Sequence, residues 1–178
     1  MEDNVKAPFW KPALIYSAIV GFVSVLLGVV FYVMALYAAS WTQWVTLVVG
    51  IAVLAYCLVA YRNEHLGGFA SYGQLFRMAL VIGVISSVIA VIYTYLMHVV
   101  IDPELVDKMK LATEEKLMNN PRIPENMLDD VFERMAKQFE LKRMLITVFV
   151  GGVVGNAIIG LILAAFIKKE QSPMDAAV

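Results

Sequence analysis

Few side chains in this chain could do chemistry, and their spacing keeps them apart. His65 and His98 are the two histidines, and Cys57 is the single cysteine. The histidines fall at opposite ends of successive apolar runs, which excludes a metal site shared between them within one protomer. Cys57 lies inside an apolar run, so neither an intramolecular disulfide nor a cysteine-based metal cluster can form. Ser86-Ser87 has no histidine in the same layer to activate a nucleophile. Tyr93 and Tyr95 leave a helix in different directions and read as interfacial aromatics rather than as a hydroxyl pair. Arg62, Glu64 and His65 could hold a lipid headgroup, but a solvated corner is the simpler expectation. His98, one turn before Asp102, reads as a histidine at headgroup level, with a proton-sensing switch as the sharper alternative. Asn156 is the most polar uncharged side chain deep in any apolar run, and an amide in hydrocarbon needs a partner. An interhelical hydrogen bond is the first expectation for it, a permeation path the second. No catalytic, cofactor-binding or metal residue is assigned, and the chain is expected not to be an enzyme.

The elements that must position these residues are set by charge segregation. Of 178 residues, 61% are hydrophobic and 16% charged, against about 25% charged in a soluble domain. No Asp, Glu, Lys or Arg occurs in residues 12–61, 78–101 or 144–167. The first run is long enough for two bilayer-spanning helices of about 20 residues and a turn, and each of the others for one. The expected fold is therefore all-α: an integral membrane four-helix bundle with an extramembrane helical hairpin between spans three and four. A net charge of −1 gives no sign of nucleic-acid binding. A cleaved signal peptide is the rival reading of the first span, but its apolar run far exceeds the roughly 7–15 residues of such a segment.

Along the chain, 1–11 reads as a short polar tail and 12–101 as spans one to three, with a link at 62–76. Pro12 suits the first turn of span one, and Trp10 and Tyr37 suit the two interfaces. Trp41 and Trp44 anchor the turn before span two. Ser71 and Gln74 have the spacing of a capping box that opens span three, and Asp102-Pro103 closes it. Residues 102–143 form a charged insert, with Asp102 as N-cap of a helix running to Met118. Asn119 and the prolines at 121 and 124 break that helix. The next helix carries an apolar stripe at Leu128, Val131, Phe132, Met135 and Phe139, the possible interaction face of the insert. With no breaker after it, it is expected to run as one helix from 125 to 168 through span four, 144–168. A disordered tail, 169–178, follows.

The raw count of lysine and arginine, six on the terminal side against eight on the insert, points weakly the other way, but the span ends set the expected orientation. Lys11, Arg62 and Arg77 flank one end of spans one to three, with no matching cation opposite, and span four is tied. Both termini are therefore expected on the cytoplasmic side and the insert on the other.

In lipid, helices associate through small residues and hydrogen bonds rather than hydrophobic burial. Span three offers Ala79, Gly83, Ser87 and Ala90 on one face, and span one offers Ala13, Ser17, Gly21 and Ser24 at the same spacing. An offset of 66 residues also superposes Lys11 on Arg77, which admits an internal duplication. Span four offers Gly151 and Gly155 as a G-x-x-x-G pair beside Asn156, either for packing within the bundle or for a homodimer seam. No ionisable group lies inside a span and no paired broken helices occur, which argues against a coupled carrier.

Gly68-x-x-Ser71-Tyr72-Gly73, Ile92-Tyr93 and Ile101-Asp102-Pro103 before a charged helical insert resemble the domain of unknown function 4199 family over nearly the whole chain. The resemblance implies a small four-span protein of the bacterial inner membrane with an extracytoplasmic insert. It implies no activity, cofactor or ligand residue. The expected function is a non-enzymatic, self-associating or accessory membrane component that uses the 102–143 insert for protein interaction. Its partners would be the bilayer and either a homo-oligomer or another membrane protein. The alternative is a small oligomeric channel or carrier with Asn156, Ser86, Ser87 and His98 along the path.

Overall fold

The computed structural model describes residues 9–36, 39–119 and 128–169, without the side chain of Leu128. Most of the two expected tails, Tyr37 and the proline-bracketed turn at 120–124 lie outside the described residues. The described chain is helical: α1 Trp10–Val33, α2 Thr42–His65, α3 Tyr72–Leu96, a π turn at Met97–Ile101, α4 Leu105–Met118, α5 Leu128–Gln138 and α6 Leu141–Ile167. Four of these helices are long and apolar enough to cross a membrane, as the three uncharged runs require.

The helix ends show why the chain turns where it does. Ser71 Oγ accepts from the Gln74 amide at 3.4 Å while Gln74 Oε1 accepts from the Ser71 amide at 2.9 Å, a complete capping box at the start of α3. α1 stops four residues earlier than the aromatic spacing predicts. Its last turn is closed by Leu36 N–H on the Phe31 carbonyl and Ala35 N–H on the Tyr32 carbonyl, with Ala35 at φ 55°. That pairing is a Schellman ending, here with alanine in the left-handed position where glycine is the usual residue. Between α2 and α3, Gly67 and Gly68 take φ 65° and 87°, which only glycine adopts without strain.

Two expected boundaries move. α4 begins at Leu105, with Asp102 to Glu104 forming the turn before it rather than its N-cap. The single helix expected from 125 to 168 is broken, because Glu140 is extended at ψ 128° between α5 and α6. Phe139 N–H is shared between the Met135 and Ala136 carbonyls, the three-centre bond of a helix end. The bend lets α5 lie in contact with α4 as well as α6, which a straight continuation of α6 would not allow.

α3 is the hub. It packs most extensively against α6 and next against α1, while α2 lies chiefly against α1. The apolar core gathers at the end of the bundle where α1 begins and α6 ends: Ala13, Tyr16 and Val20 of α1, Leu54, Cys57, Leu58 and Tyr61 of α2, Leu75, Met78, Ala79 and Ile82 of α3, and Ala164 of α6.

Candidate functional site

Three groups of functional side chains are positioned by this frame. The first is the α3–α6 seam. In antiparallel helices, positions four apart on one face meet positions four apart on the other. A Cβ on Gly160 would stand 2.6 Å from Ala79 Cβ, and one on Gly83 would stand 2.7 Å from Asn156 Cβ. A Cβ on Gly152 would collide with Ser87 Oγ. Ala79, Gly83 and Ser87 thus face Gly160, Asn156 and Gly152. The within-bundle role expected for Gly151 and Gly155 is corrected: a Cβ at either position would meet nothing within 4 Å. The packing face of α6 is rotated by one residue from that pair, to the series 152, 156, 160 and 164. α1 contributes the other side of the hub, with Ala13 and Ser17 fully buried and Gly21 receiving Ile89.

The polar groups on the seam are satisfied locally. Ser87 Oγ donates to the Gly83 carbonyl at 2.6 Å, and Ser86 Oγ to the same carbonyl at 3.3 Å. Asn156 Nδ2 donates to the Gly152 carbonyl at 2.8 Å. The hydrogen bond expected across helices is therefore intrahelical, an i−4 bond that spares the amide from lipid without a partner helix. Ser86, Ser87 and Asn156 are not brought together with His98, whose cavity contains none of them.

The second group lies at the terminal end. Arg62, Glu64 and His65 are not simply a solvated corner. Arg62 Nη1 donates to the Ile167 carbonyl at 2.9 Å, capping the end of α6, where exposed carbonyls carry the negative pole of the helix. Tyr16 donates to Glu64 Oε2 at 3.2 Å, and the Tyr16 and Tyr61 rings flank the His65 ring. Ala70 and Lys169 exchange backbone hydrogen bonds of 2.9 and 3.0 Å, so the described end of the chain is tied to the link before α3.

The third group lies at the opposite end. Tyr32 of α1 donates to Asp102 Oδ2 at 3.1 Å, and Lys108 of α4 reaches the same oxygen at 3.0 Å. The Lys108 ammonium, and behind it the Tyr32 hydroxyl, holds the Asp102 carboxyl below the usual carboxylate range, and Asp102 in turn raises Lys108. His98 turns Nδ1 to the Thr94 carbonyl at 2.8 Å. Its Nε2 is buried without a hydrogen-bond partner among the described residues. The ring borders a partly open cavity of about 200 Å³ between α1, the start of α2, the end of α3, the π turn and α4. Tyr32 and Asp102 are 70 residues apart, so no local spacing could have paired them.

The expected interaction face is largely occupied by the chain itself. Met135 is buried, and Val131, Phe132 and Phe139 are half-buried, with α5 touching α4. On its outer side Lys137 pairs with Glu133 at 2.7 Å and holds that carboxyl low. Among the described residues no three His, Cys, Asp or Glu side chains converge as metal ligands.

A family model described as a protein of unknown function, DUF4199, matches residues 15–169. No curated protein and no solved structure matches the chain.

Proposed function

The chain belongs to the DUF4199 family of proteins of unknown function, and on that premise we propose that it is a non-enzymatic, self-associating component of a bacterial inner membrane. In this reading both termini are cytoplasmic and residues 102–143 are an extracytoplasmic helical hairpin that serves recognition. The orientation rests on Lys11, Arg62 and Arg77 at the span ends, where cations mark the cytoplasmic side. With the apolar stripe of α5 turned toward α4, the recognition surface of the hairpin is its charged outer side, including Asp129 and Asp130.

The observation that carries self-association is the second small-residue face of α6. One face, 152, 156 and 160, is filled by α3. The neighbouring face, Gly151 and Gly155, has nothing against it and is bordered by exposed Val150, Val154, Ile158 and Ile162. A glycine pair of that spacing lets two helix backbones approach closely in lipid. The same seam on a second copy is its complement, since a two-fold interface uses one patch twice.

Energy transfer between fluorophores placed at Asn119→Cys, in a Cys57→Ala background, tests this in liposomes. Transfer should exceed the random-proximity level and persist on lipid dilution. Gly151→Leu with Gly155→Leu should abolish it while leaving the helical content unchanged, so that lost transfer is not lost folding. Wild-type transfer at the random level, or transfer that survives both substitutions, would end the proposal.

A further inference from the structure

The elbow between α5 and α6 carries chemistry that the packing of the spans does not use. The uncharged run 144–167 has 24 residues, about 36 Å of helix at about 1.5 Å per residue. That is slightly more than the hydrocarbon core of a bilayer, about 30 Å, so Lys142 and Arg143 stand at headgroup level. The break at Glu140 leaves a crevice of about 680 Å³ in the elbow. Its border runs from Arg134, Lys137 and Arg143 down α6 to Met144, Thr147 and Val148. A second crevice, about 390 Å³, shares Lys137 and Arg143 and adds Glu140, Lys142 and Ile146. Ile146 in turn borders a groove of about 310 Å³ between α3 and α6, lined by Val88, Val91, Ile92, Leu145 and Phe149 besides. The three spaces pass from cationic to wholly apolar through residues that they share.

We propose that this elbow binds one anionic phospholipid, its phosphodiester among Arg134, Lys142 and Arg143 and an acyl chain in the groove between α3 and α6. Four cations gather here against Glu140 and Glu133, and Glu133 is already held by Lys137 at 2.7 Å. The side chains of Arg134, Lys142 and Arg143 make no hydrogen bond or salt bridge among the described residues. A guanidinium presents paired donors that match phosphate oxygens. The first turn of α6 holds two of these cations and no acid, and Glu140 does not cap it with its side chain, so like charge meets the positive pole of the helix. A bound anion relieves that repulsion. Thr147, one turn below Arg143, is exposed, and its hydroxyl alone among the described serines and threonines makes no hydrogen bond. Those of Ser24, Thr46 and Thr94 donate to the carbonyl four residues back. Thr147 is thus left a donor for an ester or phosphate oxygen. The lower border lies on a spanning helix, where a peptide backbone would lack hydrogen-bond partners and an acyl chain needs none. Clusters of cations beside a spanning helix recognise acidic lipids. The inference rests on α6 crossing a bilayer but not on self-association. Nor does it depend on which face the elbow occupies, since both headgroup layers carry phosphodiesters.

The test uses the full chain in detergent with equal amounts of phosphatidylglycerol and phosphatidylcholine of the same acyl chains, and native mass spectrometry counts the lipids retained. One phosphatidylglycerol per chain should be retained, at least tenfold in preference to phosphatidylcholine. Arg134→Gln with Arg143→Gln should lower that preference by about tenfold with the helical content unchanged. Lys110→Gln with Lys116→Gln, an equal loss of charge elsewhere on the hairpin, should leave it in place. Inorganic phosphate should not displace the lipid, because it cannot fill the apolar groove. Equal retention of the two lipids would overturn the proposal, as would a preference that survives both arginine substitutions. Displacement by inorganic phosphate would overturn it in favour of a site for free anions. If the arginine substitutions abolish energy transfer between copies and spare lipid retention, acids of a second copy are the occupant instead. A chain that stays dispersed without detergent would end the membrane reading itself.

Discussion

The two ends of the bundle are made from the same four helices and are held in opposite ways. At the terminal end, side chains of all four spans meet in one apolar core. Polar ties close over it: the capping box of Ser71 and Gln74, Arg62 on the Ile167 carbonyl, Tyr16 on Glu64, and the paired backbones of Ala70 and Lys169. At the opposite end α3 loosens into a π turn, a cavity opens between α1 and α4, and a buried imidazole nitrogen has no partner among the described residues. The difference teaches a division of labour. Binding sites and moving parts are drawn from the less stable regions of a protein, and the rigid remainder holds them in place.

That contrast can be broken first at the seam that feeds the tight end. Gly160→Leu drives a side chain into Ala79, and relief requires α3 and α6 to separate. Overpacking of this kind costs about 1–3 kcal/mol, and loss of the neighbouring contacts would add to it. The expected result is a large drop in the melting temperature in detergent and rapid proteolysis at both ends. If Gly160→Leu melts like the wild type, the seam is not the support described.

Ser71→Ala is a smaller lesion at the same end. It removes one half of the capping box and should cost about 1 kcal/mol. Hydrogen exchange should rise in the first turn of α3 and in the link at 66–70, and leave the π turn unaffected. Equal exchange at both ends would mean that the two are one cooperative unit.

The smallest effect is expected at the far end. Asp102 titrates low because of Lys108 and Tyr32, so its contribution is present above the ordinary carboxylate range, near 3.9, and is lost as pH falls through the depressed folded value. Lys108 is raised, so its share is complete below the ordinary lysine range and is lost as pH climbs through the raised value. The pair therefore holds α4 against α1 across the neutral range and releases it at both extremes. Exchange protection over 102–109, taken relative to the intrinsic amide rate at each pH, should fall on acidification in the wild type. In Asp102→Asn that protection should already be low at neutral pH and should not fall further in acid. An acid response that persists in Asp102→Asn would assign the titration elsewhere.

Much of the tight end was legible in the sequence and little of the loose end was. Uncharged runs give the spans because hydrocarbon offers the backbone no partner, so only helices can cross it. The capping box is legible because its two residues are local and its chemistry is specific. The register of α6 was not legible. Lipid is as apolar as leucine, so hydropathy does not tell a bundle-facing side from a lipid-facing one, and glycines at 151 and 152 support two adjacent faces equally. The bend at Phe139 and Glu140 has no glycine or proline to announce it, and it follows from tertiary contact of α5. The Schellman ending at Ala35 was hidden because alanine is a strong helix former. Tyr32 joined Asp102 only through the tertiary fold, since the two are 70 residues apart and nothing in their own neighbourhoods pairs them.

The wide turn at Met97–Ile101 makes residue count itself a structural quantity. Hydrogen bonds that skip five residues rather than four accommodate one residue more than a regular turn, and each residue of a regular helix advances the chain by about 100°. Shortening 97–101 by one position would restore an ordinary helix and swing everything after it about 100° around the axis. Asp102 would then leave Tyr32, and α4 would no longer roof the cavity. Conservative replacements at Val99 or Val100 preserve that phase, whereas a one-codon deletion erases it, so this stretch would tolerate spelling changes far better than changes of length.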